Sequence, residues 1–241
     1  MIGIGTIINT AAIAAGGILG ALCGRRFKSK WRETLNAACG VSTLFIGISG
    51  VMQYMLGLAE NSPKNGGSML IVLSLVLGGL IGEALDIESC FETLGEWLKL
   101  KTGNGNDNRF INAFVTASLT VCIGAMAIVG ALRDGISGDW SILAAKSVLD
   151  SVIIMVMTCS MGIGCAFSAV PVFILEGAIT LLAVFLKPIL TQAALANISL
   201  VGSVLIFCVG INLIWGKKIR VANLLPAIVI AGAAAFLPIS F

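Results

Sequence analysis

Residues 124–150 read GAMAIVGALRDGISGDWSILAAKSVLD, and this stretch decides what kind of fold the chain can have. Arg133, Asp134, Asp139, Lys146 and Asp150 lie here between two runs of almost pure hydrocarbon, which brings both signs of charge close to membrane interior. An ionisable group at the centre of a membrane helix costs about 2.5 kcal/mol or more, so it faces a partner or a water-filled cavity rather than lipid. If the protein binds or moves something, its chemistry is expected in this segment.

The remainder of the chain puts the segment in lipid. Hydrophobic residues fill 58% of 241 positions and charged residues only 11%, with a mean hydropathy of +1.03. That balance excludes an ordinary soluble domain. A bilayer core about 30 Å thick takes about 20 apolar residues per helix, which leaves room for about seven or eight spans and no separate soluble domain. The expected fold is therefore all-α, a single polytopic transmembrane helix bundle over residues 1–241. About eight spans arranged as hairpins are expected, with seven as the alternative count.

Outward from the focal segment, apolar runs place spans at 2–23, 34–58, 69–85, 110–132, 139–162, 170–186, 198–215 and from 221 to the end. Asp139 and Ser141 are both suitable N-caps for the fifth. Between the third and fourth, acidic residues alternate with Phe91, Leu94, Trp97 and Leu98 at helical spacing. This pattern predicts an amphipathic helix on the membrane surface near 86–100, followed by a Gly/Asn loop. Met1 to Thr10 carries no positive charge, and the basic cluster RRFKSKWR follows the first apolar run, the reverse of a cleavable leader.

Lys and Arg placement orients the bundle. With the N-terminus outside, inner loops hold Arg25, Arg26, Lys28, Lys30, Arg32, Lys99, Lys101, Arg109, Lys217, Lys218 and Arg220, and only Lys64, Arg133, Lys146 and Lys187 remain elsewhere. Positive-inside bias then places both termini outside.

Gly16, Gly20 and Gly24 share one helix face. Small residues at that spacing let two helix backbones approach closely, either within the chain or between two copies in a homo-oligomer. GGILG at 16–20 is echoed by GGLIG at 78–82, whose Gly79 joins Gly16, Gly20 and Gly24 as an expected helix-packing residue; Asn36 is echoed by Asn112, and FIG at 45–47 by CIG at 122–124. The matches suggest a parallel repeat of residues 1–58 and 68–132.

Several chemistries are disfavoured. The chain has no histidine, and its seven cysteines lack metal-type spacing, so neither a cofactor nor a metal is expected and an enzyme is not the expected class. A net charge of +3 gives no reason to expect nucleic acid as a partner. The expected partners are the lipid bilayer, a small solute or ion, and a second copy of the chain.

Lys146 and Asp150, four residues apart, can pair on one helix face. At about 1.5 Å per residue, Asp150 lies about 14 Å from a helix start at Ser141, near the midplane. Glu176 on the next span is at comparable depth. Two carboxylates and one ammonium there could bind a cation or relay protons, or could simply fix helix register as a buried ion pair. Arg133 and Asp134 read either as a snorkelling pair at a helix end or as an outer gate. Asn9, Asn36, Gln53, Asn112 and Asn212 are amides inside apolar runs, of which Asn112 joins the candidate pathway with Asp150, Lys146, Arg133, Asp134 and Glu176. The expected function is passage of a small molecule or ion, as transporter or channel. The alternative is a structural or regulatory membrane component whose buried charges fix packing.

GAMAIVGALRDG, GDW, KSVLD and the later NLLPA resemble the bacterial YqgA/YdfK-like membrane proteins of unknown function, over nearly the whole chain. The resemblance implies an integral protein of the bacterial inner membrane and supplies no substrate. The resemblance also implies a departure, since members of that family often carry Gln-Gly where this chain has Glu176-Gly177.

Overall fold

A computed structural model describes residues 2–24, 28–58, 62–63, 67–101, 103, 109–123, 125–186 and 191–236. All regular structure among them is helical. The helices are α1 (Ile4–Gly24), α2 (Ser29–Met55), α3 (Ser68–Leu85), α4 (Ile87–Lys101), α5 (Phe110–Cys122), α6 (Ala125–Ser137) and α7 (Ser141–Met161). A 3-10 turn, Ile163–Ser168, then leads into α8 (Ala169–Leu181) and the short α9 (Ala183–Leu186). After α10 (Gln192–Trp215), a second 3-10 turn, Val221–Leu224, leads into α11 (Pro226–Ala234).

Six of these segments are long and apolar enough to cross a membrane, and a seventh is α5 with α6, bent by 62° at their junction. The eighth expected span, Val221–Ala234, is apolar but shorter than a full crossing. Among the described residues the expected count of eight therefore becomes six candidates, or seven with the bent α5–α6 pair as one span, and one short helix. Exposed Ile18, Phe45, Leu80, Val152 and Ile174 give the bundle the hydrocarbon surface that lipid requires and water would not tolerate.

Glycines set the helix directions. Gly5, Gly16, Gly20 and Gly24 abut Leu143, Ser151, Met155 and Cys159 in that order, so α1 and α7 run parallel. Cβ atoms at Gly16 and Gly20 would collide with backbone carbonyls of α7, which is why the stripe must be glycine. Of the two uses that the spacing allows, the stripe takes the one inside the protomer, and this face is not free to pair two copies. Gly40, Gly47 and Gly50 meet Ile214, Phe207 and Ser203, so α2 and α10 run antiparallel, and Gly78 and Gly82 meet Ala227 and Asn223 of the antiparallel α11 segment. Gly79, singled out from the sequence as a packing residue, touches only a Leu224 methyl; its neighbours Gly78 and Gly82 carry the contact.

The bundle has two faces. One carries the starts of α1, α3, α7 and α10 and is called here the N-terminal face; the other carries α4. Asp86, in the left-handed region at φ 46, turns the chain from α3 into α4, a conformation that Asp adopts more readily than most residues. Trp97 and Leu100 of α4 are exposed while Glu88 and Leu98 are buried, as an interfacial helix requires. In the suggested repeat, α2 is continuous whereas its counterpart is broken between α5 and α6. Arg25 and Arg26 of the basic cluster, residues 59–61, 64–66, 104–108 and 187–190, and Gly124 of the CIG echo lie outside the described residues.

Candidate functional site

The close approach of α1 to α7 lets a short side chain on one helix reach charges on the next. Lys146 and Asp150, one turn apart on α7, form an ion pair. The Lys146 ammonium also donates to the Val121 carbonyl at 2.9 Å and lies 3.6 Å from Glu176 Oε1 on α8. Asn9 on α1 donates from Nδ2 to Glu176 Oε1 at 2.8 Å and to Asp150 Oδ2 at 3.4 Å. All four residues are buried, none more than 6% exposed.

The Val121 carbonyl is available because α5 ends there. Ile123 is extended, at φ −82 and ψ 124, so the last carbonyls of α5 lose their helical donors. The break and the ammonium satisfy one another. Fully ionised, the cluster holds two carboxylates against one ammonium, an excess of one negative charge. Glu176 Oε2 and Asn9 Oδ1 have no hydrogen-bond partner among the described residues. Such a site can take a proton or a small cation, which would relieve the surplus charge.

Polar contacts continue from the cluster toward the N-terminal face. Thr6, one turn before Asn9, meets Thr180 at 3.3 Å, and Thr180 reaches the Ala131 carbonyl at 3.2 Å. Asp134 accepts the Gly3 and Gly5 amides at 3.1 and 2.9 Å, capping the start of α1 with a carboxylate where the helix dipole favours one. Asp134 is wholly buried, whereas Arg133 is exposed and faces Asp139 at 3.7 Å. The two therefore do not form the outer pair expected from their adjacency, because neighbours on a helix point about 100° apart. Asp139 also accepts the Ser141 amide at 3.1 Å at the start of α7. Hydrogen bonds from Ser141 hold its carboxyl below the usual aspartate range, with Arg133 adding to the effect.

Cavities flank the bent span at both faces. On the N-terminal face, a cavity of about 370 Å³ between α2, α6 and α10 is lined by Tyr54, Arg133, Ser137, Gln192 and Ser199. On the α4 face, one of about 360 Å³ is lined by Glu88, Glu92, Glu96, Asn112 and Lys217. Another of about 520 Å³ is lined by Glu33, Asn36, Arg109, Asn112 and Ser160. The two share Asn112, Thr116 and Asn212. Asn112 therefore belongs to the vestibule of the α4 face and is separate from the charged cluster, although it does meet its repeat partner Asn36 in one cavity.

Of the residues singled out from the sequence, Lys146, Asp150 and Glu176 come together, and Arg133, Asp134 and Asn112 lie elsewhere. Asn9 was noted only as an amide in an apolar run. Its signal was its place on the stripe Thr6, Asn9, Ile13, Gly16, Gly20, Gly24, the face of α1 turned to α7. Glu88, an acidic position of the amphipathic stretch, and Lys217, one of the inner-loop cations, form an ion pair at 2.6 Å with Glu88 buried. No group of three or more acidic or cysteine side chains suited to a metal occurs among the described residues.

Comparison with known proteins agrees with the membrane architecture. The chain is 28% identical over 232 residues to the "Uncharacterized membrane protein YdfK" of Bacillus subtilis (strain 168), covering 96% of this chain and 95% of that protein. It is 31% identical over 232 residues to the "Uncharacterized protein YqgA" of Escherichia coli (strain K12), covering 95% and 94%. No solved structure matches. The family described as "Protein of unknown function (DUF554)" matches residues 4–236, and the chain belongs to that family.

Proposed function

We propose that the protein is a transporter or channel for a small solute or ion, with the cluster of Asn9, Lys146, Asp150 and Glu176 as its working site. The observation that carries this reading is the coincidence of a surplus buried carboxylate with a broken membrane helix. Irregular backbone inside a membrane is tolerated where protein shields it or it lines a cavity, and discontinuous helices commonly build solute and ion sites. Cavities at both ends of the bent α5–α6 span and of α10 favour passage along that seam. Uptake of a proton or cation at Glu176 would weaken its attraction for Lys146, the group that also holds the Val121 carbonyl at the break.

The bias of Lys and Arg toward the α4 face supports placing that face in the cytoplasm of a bacterial inner-membrane protein, with both termini outside. A structural role is the second reading, favoured by the direct Lys146–Asp150 pair. Flux into sealed vesicles containing the purified protein decides between them. Protein-dependent movement of a proton, sodium or solute that Asp150→Asn abolishes without loss of folded protein supports transport; vesicles inert across the panel would refute it.

A further inference from the structure

A second polar site lies on the α4 face, away from the charged cluster. Glu88, Glu92 and Glu96 follow one another at four-residue intervals and line the same cavity. The Lys217 ammonium reaches in from the loop after α10, pairing with Glu88 at 2.6 Å and also with Glu92. Glu88 is only 2% exposed, and its Oε2 is buried without a hydrogen-bond partner among the described residues. Three carboxylates thus line the cavity with one ammonium among them.

We propose that this cavity binds a primary alkylammonium, best a short α,ω-diamine, and that Lys217 is its tethered stand-in, displaced when the ligand enters. Geometry selects this class. Glu88 and Glu92 already converge on one ammonium, and Glu96 lies a further turn, about 6 Å, along the helix, so the row matches two ammonium groups joined by a short alkyl chain. The absence of a metal-type cluster among the described residues agrees. Asn112 and Thr116 offer further acceptors, and Val115, Leu119 and Val209 give the methylenes an apolar wall. Lys217 already shows that an alkylammonium fits. It is half exposed and sits beside Gly216 at φ +78 in a non-helical loop, so it can swing out. Desolvation pulls its pKa down, but the hydrogen bonds and negative charge of Glu88 and Glu92 outweigh this and hold it above the usual lysine value.

Binding here stands apart from the transport proposed above and is tested without it, by isothermal titration of the purified full chain in detergent with 1,4-diaminobutane at fixed ionic strength. Saturable binding is expected, weaker for n-butylamine. Lys217→Gln removes the competing ammonium and should tighten binding about tenfold, and Glu92→Gln, at a half-exposed position that the fold tolerates, should weaken it about tenfold. No saturable binding to either the wild type or Lys217→Gln, an affinity that Glu92→Gln leaves unchanged, or displacement of the diamine by equimolar magnesium would each overturn the site. Vesicle flux without diamine binding would overturn this site alone, and binding in a protein that moves nothing would overturn transport alone.

Discussion

Lys146 and Asp150 form a buried pair, so removing one member strands the other, and Asp150→Ala should cost about 3 to 5 kcal/mol and lower the yield of folded protein. The four-residue step to Asp150 announced the pair, and Glu176 at similar depth announced a third member. What spacing could not show was the fourth partner, Asn9, because its contact depends on two helices packing through glycine at backbone distance. Nor could it separate Arg133 from Asp134, since snorkelling and capping use the same residues at a helix end. Asp134→Ala removes the acceptor for two amides at the start of α1 and should cost about 1 kcal/mol, with Asp134→Asn milder because one acceptor oxygen remains. Thermal unfolding in detergent measures both. Equal stability of Asp134→Ala and the wild type would remove the capping role.

At the scale of elements, apolar run length predicted the helices well, because a lipid-facing span must satisfy its own backbone and has no alternative to helix. The bend between α5 and α6 was not legible: the sequence around it is as apolar as an unbroken span, and what stabilises the break is a lysine from another helix. The partner of the glycine stripe was equally hidden, since four-residue spacing fits an internal face and a dimer face alike. Gly20→Val would push its side chain into Met155 and Thr158 and should cost about 1 to 3 kcal/mol or more by overpacking. Size-exclusion chromatography should therefore show loss of the folded peak. A stable protein that merely shifts to smaller mass would put the stripe at an interface between copies.

For the whole molecule, α11 heads back toward the face where α1 begins without the length of a full crossing, and the proposed topology counts it as the last passage. Reporter fusions at Lys30 and Lys217 should read cytoplasmic, and one at Gly138 should read external. Lys30 and Lys217 reading on opposite sides would break the topology. Function was the least legible level, because a buried ion pair and a transport site use the same residues and differ only in whether charge is needed for movement. Currents recorded on a solid-supported membrane after concentration jumps of protons, sodium, potassium or small solutes compare wild type, Asp150→Asn and the double variant Lys146→Met with Asp150→Leu. If the cluster is the working site, the wild type gives a current that both variants lose, while the double variant stays folded because an apolar pair can replace an ion pair without loss of stability. A double variant that is folded and carries the full wild-type current would show that these charges hold helices together and move nothing.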